Sequence, residues 1–86
     1  MFNTKQQHPM KIFILTCINE NSELVYAVAH RTLSEAQSKM REHARVESEE
    51  FADLGRPGNY CNVSEMSSAC GDEEACYVWD ITEQEL

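Results

Sequence analysis

The sequence predicts an α+β domain: a three- to four-stranded antiparallel sheet with one helix packed on one face, in the order ββα(β)β. Three observations carry this reading. Lys11–Ile18 and Glu23–His30 are β-prone runs separated by Asn19-Glu20-Asn21-Ser22, a turn sequence. Residues 33–54 place apolar side chains at helical spacing between a capping sequence and a glycine stop. Cys76–Ile81 returns to alternation, with Tyr77, Trp79 and Ile81 on one face. The 86 residues suffice for one domain with one modest core. Residues 1–9 are polar and patternless and are expected to be a flexible extension, because Met10-Lys11-Ile12 reads as a natural start into the first strand. The single α+β domain then spans 10–86.

Lys11–Ile18 is apolar at almost every position, the mark of a strand covered on both faces or covered on one and buried in an interface on the other. Asn and Ser bond their own backbone and so favour the turn that follows. In the second run Leu24, Tyr26 and Val28 share one face, and Val25, Ala27 and Ala29 the other. Thr32-Leu33-Ser34-Glu35 is a capping box that starts the helix. At 100° per residue, Leu33, Ala36, Met40, Ala44, Phe51 and Leu54 form one stripe. Glu47 falls on the apolar side and Val46 nearly opposite, so either the helix kinks or ends near Val46, or Glu47 sits at the stripe's edge. Gly55 followed by Pro57 ends the helix. Beyond the Arg56–Asn59 turn, Tyr60–Val63 reads as a short strand and Ser64–Ala75 as a small, polar, acidic loop. Thr82–Leu86 is expected to form a final helical turn.

The last strand, returning after the helix, is expected beside the first and antiparallel to it, which makes the first strand central. The second sheet face then carries about six uncovered apolar side chains, and such a patch commonly marks an interface. A homodimer through the sheet is the expected assembly. The ββαβ order over Met10–Leu86 resembles that of small accessory proteins of bacteria and their phages. The likeness is one of element order and implies no functional residues.

The formal net charge is −8, and it is uneven. Residues 1–41 carry five Lys/Arg and three acids, a sum of +2; residues 42–86 carry two Arg and twelve acids, a sum of −10. Direct nucleic-acid binding needs clustered cations and is not expected. No apolar run approaches the roughly 20 residues a membrane-spanning helix needs. The expected location is cytoplasmic, with thiols reduced and Cys17 and Cys76 packed as small hydrophobes.

No motif points to catalysis or to a cofactor. Cys61, Cys70 and Cys76 have eight and five residues between them, not the close pairs of a structural zinc site, so no metal is expected. Acids beside Cys70 would raise a thiol pKa, against a nucleophile. Asp72-Glu73-Glu74 lacks the ligand order of a calcium loop. Glu47 is the carboxylate whose surroundings are partly apolar, where desolvation raises a pKa.

The expected function is a small acidic, non-enzymatic interaction module, an accessory or inhibitory protein that meets a basic partner surface through Glu42, Glu49, Glu50 and Asp53. These acids repel one another at helical spacing and oppose the dipole at the helix end, penalties the sequence accepts. One alternative is a ligand-binding domain or enzyme with its site at a dimer seam around Tyr26, His30, Tyr77 and Trp79. Another is a secreted domain stapled by a disulfide among Cys61, Cys70 and Cys76.

Overall fold

The computed structural model describes residues 10–86, and the extension expected over 1–9 lies outside the described residues. The elements run β1 (Lys11–Asn19), β2 (Leu24–His30), α1 (Leu33–Leu54), β3 (Tyr60–Val63), β4 (Ser67–Gly71) and β5 (Cys76–Glu85). All strand pairs are antiparallel, in the order β2-β1-β5-β4-β3. The sheet has five strands, one or two more than expected. β1 has a strand neighbour on either side, while β5 takes the middle position.

Asn19 builds the first hairpin. Its side-chain oxygen accepts from Asn21 N (2.9 Å) and Glu23 N (3.0 Å), and Ser22 takes φ 60°. Thr32 caps α1 by accepting from Glu35 N at 3.1 Å. The helix runs unbroken for 22 residues to Gly55, whose φ of 67° lets its N–H reach Ala52 O. Ala36, Met40, Ala44 and Phe51 are its buried residues. They meet Leu15, Cys17, Cys70, Trp79 and Ile81, which the alternation of β1, β4 and β5 presents to the helix. Glu47 therefore sits at the edge of the stripe on a continuous helix; no kink intervenes.

Two expectations fail. Ser64–Ala75 is not a loop throughout, because Ser67–Gly71 forms β4. Ser-Ser-Ala-Cys-Gly has no β-branched or aromatic residue, and it is a strand only because β3 and β5 pair with it on both sides. Thr82–Glu85 is not helical but continues β5 along Lys11–Ile14. The long β1 offers backbone partners that outweigh a short local preference. Lys11 pairs with Glu83 at 3.3 Å, and Leu86 N donates to Met10 O at 2.8 Å.

The β4–β5 turn is organised by Asp72, whose Oδ1 accepts from Glu74 N (2.8 Å) and Ala75 N (3.1 Å). Arg56, just past the helix, donates to Asp72 Oδ2 at 2.8 Å and ties the two loops together. That guanidinium holds the Asp72 carboxyl below its usual value, burial works against this, and the turn N–H groups reinforce it. Gly71 admits no side chain, since a Cβ there would stand 2.5 Å from Ala75 O.

Cys61 and Cys70 face each other across β3 and β4 and form a disulfide, with Cα atoms 4.1 Å apart. Cys17 and Cys76 are free thiols. The expectation of uniformly reduced cysteines is thus corrected. Antiparallel pairing brings two residues nine positions apart into direct opposition, which spacing alone does not reveal.

The sheet face away from α1 is uncovered by any described residue. Ile12, Ile14 and Ile18 are half-buried among their neighbours, and Leu24, Ala27 and Ala29 are exposed; a register shift between Cys17 and Ile18 pairs Ile18 with Leu24, so Leu24 leaves the face expected for it and Val25 borders the helix side. Among the described residues no helix is long and apolar enough to cross a membrane.

Candidate functional site

α1 lies mainly over β4 and β1. On its flank toward β2, His43, Val46 and Glu47 stand over Tyr26, Tyr77 and Trp79. Between them lies a cleft of about 290 Å³, lined mostly by apolar atoms. Register explains the strand contribution: Tyr26 pairs with Cys17, and Cys17 with Trp79, so all three share the helix-facing side with Leu15.

The cleft floor is a hydrogen-bonded chain. Trp79 Nε1–H donates to Tyr26 Oη at 2.7 Å. The Tyr26 hydroxyl is also hydrogen-bonded to His43 Nδ1, the imidazole tautomer setting which of the two donates. The Tyr26 and His43 rings meet edge to face, with centroids 5.3 Å apart. The Tyr77 and Trp79 rings are tilted at 6.1 Å.

Burial dominates the electrostatics. It pushes the Tyr26 phenol up to about 12 and the Cys17 thiol up to about 11, in each case against one favourable hydrogen bond. A thiol so raised is a poor nucleophile. The Glu47 carboxyl is raised as well, first by burial and then by the charge of Glu50 and a hydrogen bond to it. The sequence placed this carboxylate correctly as the one on partly apolar ground.

The acids expected to meet a partner are spread along the exposed side of the helix. Glu42 stands at the cleft rim and pairs with Lys39 at 3.4 Å; Glu49 pairs with Arg45 at 3.0 Å. Glu50 borders the adjoining hollow beside Phe51, Leu54 and Tyr77, and Asp53 is exposed. No basic residue occupies the last turn of the helix.

Of the residues expected at a seam, Tyr26, Tyr77 and Trp79 come together, but under the helix and not on the open face of the sheet. His30 stands apart, in a shallow depression with Ser34, Glu35, Ser38 and Lys39. Cys17, expected as a packed small hydrophobe, and Val46, expected nearly opposite the stripe, complete the cleft with Val25 and His43. His43 and Glu47 are four apart on one flank of the stripe, a signal visible in the sequence; the Tyr26 that makes the pair a site is seventeen residues from His43. Among the described residues no group of three His, Cys, Asp or Glu is placed to hold a metal ion.

No protein-family model matches the chain, and no curated protein or solved structure matches it.

Proposed function

We propose that this chain is a small, non-enzymatic interaction module that docks on a basic surface of a partner protein through the acidic second half of α1. The observation that carries this reading is the state of the helix end. Glu50 and Asp53 are exposed, have no ion-pair partner among the described residues, and follow one another in a helix with no cation in its last turn. Each like-charge neighbour costs a few tenths of a kcal/mol and the dipole adds to the penalty. A basic partner surface relieves both. The bare sheet face supports a second contact, between two copies of the chain.

The test is affinity capture from the native host, followed by rebinding of the purified partner. Glu49→Gln, Glu50→Gln and Asp53→Asn together weaken rebinding, and 0.5 M salt weakens it further by screening. Rebinding indifferent to both salt and the three substitutions rejects the acidic contact.

The Cys61–Cys70 disulfide favours a second reading, a domain that works in an oxidising compartment rather than the cytoplasm. Alkylation of the protein as isolated, followed by intact mass before and after reduction, separates the two. Four alkylated thiols without reductant reject the oxidised form.

A further inference from the structure

The cleft beside α1 combines two properties that call for one kind of ligand. Its walls are apolar and aromatic, from Tyr26, Val46, Tyr77 and the edge of Trp79. Its mouth carries the half-buried Glu47, unpaired among the described residues, and the exposed Glu42, which Lys39 pairs at 3.4 Å. The nearby cations are committed elsewhere: Lys39 to Glu42 and Arg45 to Glu49. Glu47 has no cationic partner among the described residues, and its charged neighbour is another acid, Glu50. A half-buried carboxylate next to a like charge is an unfavourable arrangement that a ligand's positive charge relieves.

Each other ligand class leaves something unsatisfied. An anion meets the unpaired Glu47 carboxylate. A neutral apolar molecule strips more water from Glu47 and gives nothing back. A bare divalent cation needs about six oxygen ligands, and here two carboxylates stand over aromatic rings. We propose that the cleft binds an organic cation, an ammonium group on a short apolar stem, with the ammonium at Glu47 and the stem against Tyr26, Val46 and Tyr77. The ammonium donates charge-assisted hydrogen bonds to the Glu47 carboxylate. The aromatic walls favour a cation at their faces and bury the stem. A volume of about 290 Å³, at the small end for ligand sites, limits the ligand to a small amine.

The site is independent of partner docking, because it is measured on the isolated protein. The chain has one tryptophan, so the Trp79 indole N–H, hydrogen-bonded within the cleft floor, is a single reporter. The experiment titrates the protein with hexylammonium chloride, hexanol and sodium hexanoate at constant ionic strength, followed by heteronuclear NMR. Hexylammonium gives a saturable shift of the Trp79 indole signal and of the Val46 and Glu47 amides. Hexanol binds at least about tenfold more weakly, the loss of one charge-assisted contact, and hexanoate does not bind. Glu47→Gln, which removes a desolvated charge and so retains the fold, weakens hexylammonium by about tenfold. Glu85→Gln removes the same net charge far from the cleft, at the end of β5, and leaves affinity unchanged. Equal binding of hexanol and hexylammonium, equal losses in the two variants, or no saturable shift at Trp79 overturns the proposal.

Discussion

Two carboxylates in this protein carry opposite pH signatures, and both follow from what surrounds them. Glu47 has a folded-state pKa above its unfolded value. The folded protein holds that proton more tightly, so stability falls as pH rises from about 4.3, the unfolded value, through the folded one. The cost of ionisation is present in full only above the folded value. Glu47→Gln is therefore expected to raise Tm at neutral pH by a few degrees at most, since solvent screens much of the carboxyl's charge. Melts at neutral pH and at pH about 3, where the wild-type carboxyl is protonated in both states, check this: the gain shrinks at the acid end. Asp72 has the other sign. Its folded pKa is lowered by the Arg56 hydrogen bond, so its stabilisation is present above about 3.9 and is lost as pH falls through the folded value. Asp72→Asn lowers stability at neutral pH and flattens the acid limb of the stability curve, read from denaturant midpoints across pH. Glu47 was legible in the sequence because one helix period locates it. Asp72 was read as one of three solvated acids, since its partner Arg56 lies sixteen residues away and meets it through tertiary packing.

At the scale of elements, the hairpin β1–β2 and the helix follow from local signals: alternation, an Asn-rich turn, a Thr cap and a Gly stop. The edge hairpin β3–β4 does not. β4 has weak intrinsic preference and is held by neighbours on both sides, by the Cys61–Cys70 bridge and by the Asp72 turn. Reducing that bridge is expected to cost about 2–3 kcal/mol on the chain-entropy account for so short a loop. Urea unfolding with and without reductant measures it as a shift in midpoint. Gly71→Ala tests the turn itself. The added methyl collides with the Ala75 carbonyl, a backbone atom that cannot swing away, and a loss of about 2 kcal/mol or more is expected in the same assay. A Gly71→Ala variant as stable as wild type would mean that the β4–β5 turn is not closed this tightly.

At the scale of the whole molecule, one helix cannot cover both faces of a five-stranded sheet. The face carrying Ile12, Ile14 and Ile18 is left to solvent or to another chain. Pairing of two copies through it is the proposed assembly, and light scattering at high micromolar concentration is expected to give the mass of a dimer. Ile14→Asp, on the open face of β1, is expected to yield a folded monomer. A wild-type monomer at that concentration rejects the assembly. Dimerisation brings together two chains of net charge −8, so the association strengthens with salt, opposite to the docking of the acidic helix end on a basic partner.

Local signals alone specify the α+β class, the first hairpin, the limits of the helix, the apolar stripe with Glu47 at its edge, and the acidic second half. Each rests on periodicity or capping chemistry within a few residues. Only the tertiary structure decided that Ser67–Gly71 is a strand, that Thr82–Glu85 extends β5, that Cys61 bonds Cys70, and that Tyr26, His43 and Trp79 form one chain beneath the helix. These depend on groups far apart in the chain, where pairing partners outweigh local preference and leave no mark in the intervening residues.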